Sequence, residues 1–474
     1  MIADWLSLIL SALAIWAVIF SVYVVSERRS PASTISWVLT LGFLPIVGFA
    51  VYYFLGPRRF DRKKRRRAQA QQAVREALSS STHDGSQEHE AEIAFLVAMN
   101  IGALGVSAHK RAANLQLMFS GNETYGRMIE DIGKASHHIN MEYYIWEPDS
   151  IGTRLRDALV KSAARGVAVR LHLDGVGSAK ANKRFWKPLI AAGGLVTHFN
   201  RLAMRRRTGN FRTHRKIVVV DGRIGYSGGM NITDVHSEEF SGEHSWRDTH
   251  VRLDGPAVRG LQMVFNEGWY DSTGEILEGV EFFPVETEAK QYERSVQVVS
   301  SGPDESRNAI HKLIAASLFA SVKRVYITTP YFVPDPTICD ALNAAALRGA
   351  DVRILVPREN DLKIIGAASR SYYPGLLDVG VRIFEYGPRM VHAKTLVVDE
   401  MLALVGTANV DNRSFRLNFE VGVACYSADV CEQLVEAFEK DLESAVEVTA
   451  AMVAQYSRLR RLGQSFARLV SPLL

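Results

Sequence analysis

The run His214-Arg215-Lys216-Ile217-Val218-Val219-Val220-Asp221 is followed, after six intervening residues, by Gly228-Gly229-Met230-Asn231. The pattern returns as His392-Ala393-Lys394-Thr395-Leu396-Val397-Val398-Asp399 and, again after six intervening residues, Gly406-Thr407-Ala408-Asn409. The His, Lys, Asp, leading Gly and Asn all recur at a spacing of 178 residues. One copy of such a pattern carries little information, but two copies with the same downstream Gly and Asn mark an internal duplication. The body of the chain is therefore expected to be two related halves, each contributing one copy.

Around the repeats, apolar runs at Ile139–Ile145, Val167–Leu173, Ile217–Val220, Val325–Thr329, Val352–Val356 and Leu396–Val398 alternate with helical stretches such as Gly152–Arg165 and Asp429–Ala445. Strands alternating with helices predict an α/β fold with largely buried sheets. The 474 residues, 47% hydrophobic and 23% charged, are enough for two or three folded domains and exclude a disordered or collagen-like chain. Cys339, Cys425 and Cys431 are too few for a disulfide framework or a cysteine-rich metal site.

The net charge of +5 is concentrated in one place. Arg58 to Arg67 holds eight basic residues against one acid, so the rest of the chain is slightly acidic. That balance argues against a polyanion-binding body, and a basic block after an apolar segment reads as a patch facing anionic lipid. Two uncharged stretches precede it, Trp5–Val25 with 21 residues and Ser33–Leu55 with 23. As helices each would cross a hydrocarbon core of roughly 30 Å. The expectation is a transmembrane helical hairpin over residues 1–57, with Trp5, Trp37, Tyr52 and Tyr53 at the interfaces. A cleaved signal peptide fits less well, because the chain opens with Asp4 rather than with basic residues. Arg28 and Arg29 are the only basic residues between the stretches, so the charge bias predicts a multi-pass protein of the inner membrane with its catalytic body on the cytoplasmic side. Residues 58–92, basic and then rich in Gln, Ser, Ala and Glu, read as a juxtamembrane stem and linker.

If each His-x-Lys lies on a strand, residues two apart share a face, so His214 stands beside Lys216 and His392 beside Lys394. Asp221 and Asp399 lie an odd number of residues beyond their histidines and would face away, which favours a structural or orienting role. Gly228 and Gly406 would let backbone approach an anion, and Asn231 and Asn409 can donate amide hydrogens to it. Two such sets converging across a pseudo-twofold interface suit a phosphodiester. Cations and amides would stabilise a five-coordinate phosphorus, while one imidazole attacks and the other protonates the departing alkoxide. No metal and no cofactor is expected, because a lysine beside each histidine repels a divalent cation. For either motif alone, a satisfied structural histidine is the alternative.

Both motifs resemble the His-Lys-Asp signature of the phospholipase D superfamily, and nearly the whole chain is similar to bacterial cardiolipin synthases. The resemblance rests on E-R-R-S-P at Glu27–Pro31, Y-Y-F-L-G-P at Tyr52–Pro57, N-F-R-T-H-R-K at Asn210–Lys216 and W-R-D-T-H at Trp246–His250. It continues through S-S-G-P-D at Ser300–Asp304, T-T-P-Y-F-V-P-D at Thr328–Asp335 and D-N-R-S-F-R-L-N-F-E at Asp411–Glu420. It implies two tandem phospholipase D-like α/β sandwich domains, residues 93–280 and 281–474, behind the two-helix anchor. It implies transfer of a phosphatidyl group between two phosphatidylglycerols through a phosphohistidine, giving cardiolipin and glycerol.

By the same resemblance His214 would be the nucleophile and His392 the general acid, then base. Lys216, Asp221, Lys394 and Asp399 would complete the catalytic signature, Asn231 and Asn409 would bind phosphate, and Asp248 and Glu420 would orient histidines. Asp248 falls six residues later than strict register with Glu420, which requires an insertion. Gly229 and Thr407 stand where the superfamily often has Ser, and Glu142 and Arg413 resemble further pocket positions. The partners implied are phosphatidylglycerol, cardiolipin and anionic membrane lipids, with no nucleic acid. A lipid-hydrolysing phospholipase D, a synthase using phosphatidylethanolamine as donor, and a membrane-tethered nuclease are the competing activities. Three further features have blander readings beside functional ones: Arg201 and Arg205–Arg207 would receive lipid phosphates or form a solvated face, the aromatic residues in Pro330–Pro334 would line the acyl-chain entry, and an amphipathic C-terminal stripe of Leu459, Leu462, Phe466 and Leu469 would lie in the membrane interface or pack against the body.

Overall fold

The computed structural model describes residues 114–200, 210–284, 294–304 and 308–469, together with strand Lys110–Ala112, helix Pro31–Phe43 and scattered positions before residue 26. The first half contains β1 (Lys110–Ala112), β2 (Asn114–Met118), β3 (His138–Tyr143), β4 (Ala168–Asp174), β5 (Leu195–Phe199), β6 (Arg212–Thr213), β7 (Lys216–Val220), β8 (Ile224–Gly228) and β9 (His250–Asp254). The second contains β10 (Arg294–Ser301), β11 (Arg324–Thr328), β12 (Phe332–Val333), β13 (Asp351–Pro357), β14 (Arg382–Tyr386), β15 (Thr395–Val398), β16 (Leu402–Gly406), β17 (Val410–Asp411), β18 (Asn418–Cys425) and β19 (Ala445–Val448).

The duplication is visible in the strand order. One sheet runs β2-β9-β8-β7-β3-β4-β5 and the other contains β10-β18-β16-β15-β11-β13-β14, the same sequence of equivalents. In both, the repeat motif enters the central strand, β7 or β15. That strand pairs antiparallel with β3 or β11, which begins the parallel part of its sheet. Valine- and isoleucine-rich central strands suit sheets covered on both faces. Every residue of β7 is buried, from Lys216 through Val220.

Helices Gly121–Lys134, Ser150–Ala164 and Lys183–Ala191 cover the outer face of the first sheet, with Tyr125, Leu155, Leu159 and Trp186 in its core. Ala309–Ala320 and Pro336–Leu347 do the same for the second. The inner faces share a third core, in which Ile217 and Val219 meet Val397, Val405 and Val423 together with helices Val258–Thr273 and Ala428–Leu442. The two halves are thus one packed body. β1, from the segment assigned to the first domain, pairs with β10 of the second sheet.

The expected membrane hairpin is corrected. Among the described residues no helix is long and apolar enough to cross a membrane. The described helix in the second apolar stretch, Pro31–Phe43, has 13 residues and is about 20 Å long. Absence of charge measures how apolar a segment is, but it does not give the length of continuous helix. The multi-pass inner-membrane placement with a cytoplasmic body falls with the hairpin. The basic block, the stem and linker, Tyr52, Tyr53, Arg201 and Arg205–Arg207 lie outside the described residues.

Candidate active site

Each histidine is positioned by the other half of the molecule. β6 pairs in parallel with the start of β18, Thr213 opposite Phe419, and His214 N donates to Phe419 O at 2.9 Å. Symmetrically, Val391 bridges Arg247, and His392 N donates to Arg247 O at 2.6 Å. The residues after Phe419 and Arg247 are Glu420 and Asp248, so each backbone bridge sets a carboxylate beside the opposite histidine.

The side chains complete the crossing. His214 Nδ1 lies 3.0 Å from both oxygens of Glu420, and His392 Nδ1 lies 2.7 Å from Asp248 Oδ2. Ionised carboxylates only accept hydrogen bonds, so both Nδ1 atoms carry the proton and the lone pair of each neutral ring is on Nε2. Both carboxylates are fully buried. Burial alone would raise the Glu420 carboxyl, but the His214 ring, Lys216 and the hydroxyl of Thr407 hold it below its usual value.

The two acids are equivalent despite their shifted register. Gly229 N donates to Thr249 O as Thr407 N donates to Val421 O, which aligns Asp248 with Glu420. The departures from serine also have a physical account. Thr407 donates its hydroxyl to Glu420, whereas a Cβ at Gly229 would stand 2.0 Å from Asp248 Oδ1. The shorter aspartate occupies space that a side chain at 229 would need.

Lys216 Nζ donates to His214 O at 2.8 Å, and Lys394 Nζ stands 3.0 Å from both ring nitrogens of His392. Burial and the mutual repulsion of the two ammoniums push Lys216 down to about 7, and burial pushes Lys394 down to about 8. Burial, opposed by Glu420 and reinforced by Lys216, lowers His214 to about 4. His392 is also driven well below its usual value, by burial, then by Lys394 and Lys216. On the protein's own charges both rings are neutral at pH 7. Asn231 and Asn409 are buried next to these strands, and the Oδ1 of each finds no partner among the described residues. That atom is an acceptor, so any hydrogen bond these residues give to an anion must come from the Nδ2 of each amide.

Asp221 and Asp399 do not join this cluster. Each has a left-handed backbone, φ 51° and 52°, at the far end of its strand, roughly 16 Å of extended chain from the lysine. Asp221 accepts from Ser136 N, His137 N and His138 N at 2.8 Å each, and Asp399 accepts from Lys323 N and Arg324 N at 2.8 Å and Val322 N at 3.0 Å. They fasten the turn before the neighbouring strand, which removes them from the reacting groups. Asp221→Ala is expected to cost roughly 2–4 kcal/mol of stability while kcat of the folded protein changes less than about threefold. Thermal melts and active-site-normalised turnover check this; a thousandfold fall in kcat with an unchanged melt would contradict it.

Gly228 and Gly406 likewise serve packing rather than an anion. A Cβ at Gly228 would lie 2.6 Å from His250 Cα, and one at Gly406 would lie 2.8 Å from Val421 O. Glu142 accepts from the hydroxyl of Thr213, and Arg413 Nη1 donates to Asn210 Oδ1 at 3.1 Å. Both support the segment leading into His214. Phe332 and Val333 are fully buried core residues, so only Tyr331 of the aromatic segment is placed to meet a ligand.

Three aromatic neighbours escaped the sequence reading. Tyr144 sets its ring 4.9 Å from His214, and Trp246 and His236 set theirs 5.2 and 5.3 Å from His392. Trp246 belongs to the quoted W-R-D-T-H segment, but nothing in spacing distinguishes the other two. His236, Asp248 and His392 bring ligating atoms within 4.8 Å of one another, a grouping able to hold a metal ion. The Asp248 bond to His392 Nδ1 and the Lys394 ammonium beside the same ring oppose a divalent cation there. Turnover in chelator is therefore expected to stay within about twofold of the untreated rate. Loss of activity that returns only with stoichiometric metal would contradict this.

The chain matches the family described as "Cardiolipin synthase, PLD-like domain" over residues 128–249 and 314–442, ranges that enclose both histidines, both asparagines and both carboxylates. Residues 9–57 match "Phospholipase_D-nuclease N-terminal". A cardiolipin synthase of Geobacillus sp. (strain WCH70) is 40% identical over 479 residues, covering 98% of this chain and 94% of the relative. Cardiolipin synthase 2 of Bacillus anthracis is 38% identical over 472 residues, covering 98% and 90%. Among solved structures, phosphatidylserine synthase of Haemophilus influenzae Rd KW20 superimposes with a TM-score of 0.61 at 17% identity, over 81% of this chain and 100% of that one. That last likeness is one of fold alone.

Proposed function

The chain belongs to the cardiolipin synthase family of the phospholipase D superfamily, and from that premise we propose that its crossed histidine–carboxylate pairs carry out phosphatidyl transfer in two displacements. The reaction joins two molecules of phosphatidylglycerol into cardiolipin and releases glycerol. The observation that carries the residue assignment is that both Nδ1 atoms are held by carboxylates of the opposite half, which leaves two Nε2 atoms for one phosphorus.

In the first displacement His214 Nε2 attacks phosphorus of the donor. The bond from phosphorus to the headgroup glycerol oxygen breaks, and His392 Nε2–H gives its proton to the departing alkoxide. Glycerol leaves and phosphatidyl-His214 remains. In the second, neutral His392 takes the proton of a headgroup hydroxyl on the acceptor phosphatidylglycerol. That oxygen attacks phosphorus, the phosphorus–nitrogen bond breaks, and His214 is regenerated. Lys216, Lys394 and the amides of Asn231 and Asn409 stabilise the charge gathering on the phosphoryl oxygens.

The low basicity of the rings suits this sequence. A neutral His214 is ready to attack at pH 7. The diester's negative charge offsets the two ammoniums, and this favours the protonated His392 that the first displacement needs. The profile of kcat/KM against pH is expected to be bell-shaped. It falls below about 4 as His214 takes a proton, and it falls on the alkaline side first as His392, the acid of the free enzyme, loses its proton and then further as Lys216 and Lys394 lose theirs near 7 and 8. The bound anion holds the lysines charged, so the alkaline limb of kcat lies at higher pH than that of kcat/KM. A kcat/KM profile flat from about pH 6 to 9 would contradict the assignment. The test of the function itself is mass spectrometry of products from phosphatidylglycerol alone, with cardiolipin and glycerol expected and phosphatidic acid as the contrary outcome.

A further inference from the structure

Helix Arg458–Leu469 is docked with its polar side inward. Its two buried residues are Gln464 and Ala467, and Ala467 joins Val333, Ile365 and Ala368 in a small apolar cluster against helix Lys363–Arg370. Leu459, Leu462, Phe466 and Leu469 are 82%, 55%, 61% and 74% exposed. At 100° per residue these four fall within an arc of roughly 80°, centred about 150° from the buried pair. A soluble amphipathic helix does the reverse and turns such a stripe toward the core.

The charge pattern names what covers the stripe. The helix carries Arg458, Arg460, Arg461 and Arg468 and no acid. Three of the arginines are held back from the stripe by the protein itself. Arg460 lies 3.7 Å over the Tyr456 ring, Arg468 lies 4.5 Å over Tyr372, and Arg461 Nη2 donates to Ala454 O at 2.6 Å. Apolar side chains on one face with only arginines around them match the boundary between the acyl chains and anionic headgroups of a bilayer. Twelve residues, about 18 Å, can lie in that boundary but cannot cross it.

The position is as informative as the composition. The supporting helix Lys363–Arg370 begins beside two further exposed apolar side chains, Leu362 and Ile364. Asp361, just before them, accepts the Tyr331 hydroxyl at 2.8 Å. Val333, which shares the apolar cluster with Ile365, Ala368 and Ala467, lies on β12, and β12 pairs with β17 directly after Asn409, so the helix pair packs on the element that follows one of the site asparagines.

We propose that helix Arg458–Leu469 is an interfacial docking element. It seats Leu459, Leu462, Phe466 and Leu469 in an anionic lipid surface and sets the histidine site against the layer that holds its substrate. The inference rests on lipid being the substrate, but its test reads position independently of turnover. An environment-sensitive dye on Leu462→Cys, in the full chain with Cys339→Ser, is expected to brighten about threefold or more with vesicles containing phosphatidylglycerol. Nitroxide-bearing lipids labelled near the headgroup should quench it. An unchanged signal overturns the proposal, as does brightening that follows protein concentration without vesicles, which would mean self-association. An equal response to phosphatidylcholine vesicles at physiological salt overturns the anionic preference. In the activity arm, Leu459→Glu/Leu462→Glu/Phe466→Glu is expected to lose about tenfold or more of kcat/KM on vesicles while staying within about twofold in detergent micelles. Equal loss in both would overturn the docking role. Absence of cardiolipin from the unaltered chain in micelles would instead defeat the functional reading.

Discussion

His214→Ala and His392→Ala are each expected to lower kcat by about 10⁴-fold or more with the fold intact, because groups that act as one unit are lost together. Retention of more than a few per cent of turnover by either variant would reject the two-histidine mechanism. A change of leaving group separates the roles. A phosphodiester whose leaving group departs readily as an anion needs no general acid. With it His392→Ala should recover a burst of one leaving group per site, while His214→Ala should stay inactive. Recovery in His214→Ala instead would exchange the two assignments.

The carboxylates should follow the crossing seen in their contacts. Glu420→Gln and Asp248→Asn are expected to lower kcat by roughly 10²–10⁴-fold, since an amide can present the wrong group to Nδ1 and fix the wrong tautomer. Their character should differ. Glu420 holds His214, so Glu420→Gln should resist rescue by the good leaving group, whereas Asp248→Asn, which disturbs His392, should be partly rescued. Each acid lies in the other half of the chain from the ring it holds. A pattern in which Glu420→Gln is rescued and Asp248→Asn is not would mean that the acids act within their own halves.

The matched motifs made the duplication legible, and the strand order of both sheets reproduces it. Strand periodicity predicts His and Lys together, but β7 begins only at Lys216 and β15 at Thr395, so both histidines precede their strands and are held by the backbone bridges to the other half. Periodicity also hinted that Asp221 and Asp399 point elsewhere, although the family signature drew them into the catalytic set. Their observed contacts, which fasten a turn 75 or more residues away in sequence, are tertiary. The crossing of Glu420 to His214 and Asp248 to His392 was equally hidden, since spacing within one repeat says nothing about which half supplies the partner. Gly228 and Gly406 misled for a related reason. A glycine shows that a backbone is approached closely, and here the approaching group is a neighbouring strand rather than phosphate. The C-terminal stripe was visible as a helical period, but whether it faced the protein or its surroundings depended on what packs on Gln464 and Ala467.

The most direct test of the account is a rapid acid-free quench of the protein with phosphatidylglycerol, followed by digestion and mass spectrometry of the two histidine peptides. The account predicts a phosphatidyl adduct on His214, formed at a rate no slower than turnover, absent in His214→Ala, and discharged to cardiolipin when phosphatidylglycerol is added again. An adduct confined to His392, or cardiolipin formed with no adduct on either histidine, would contradict it.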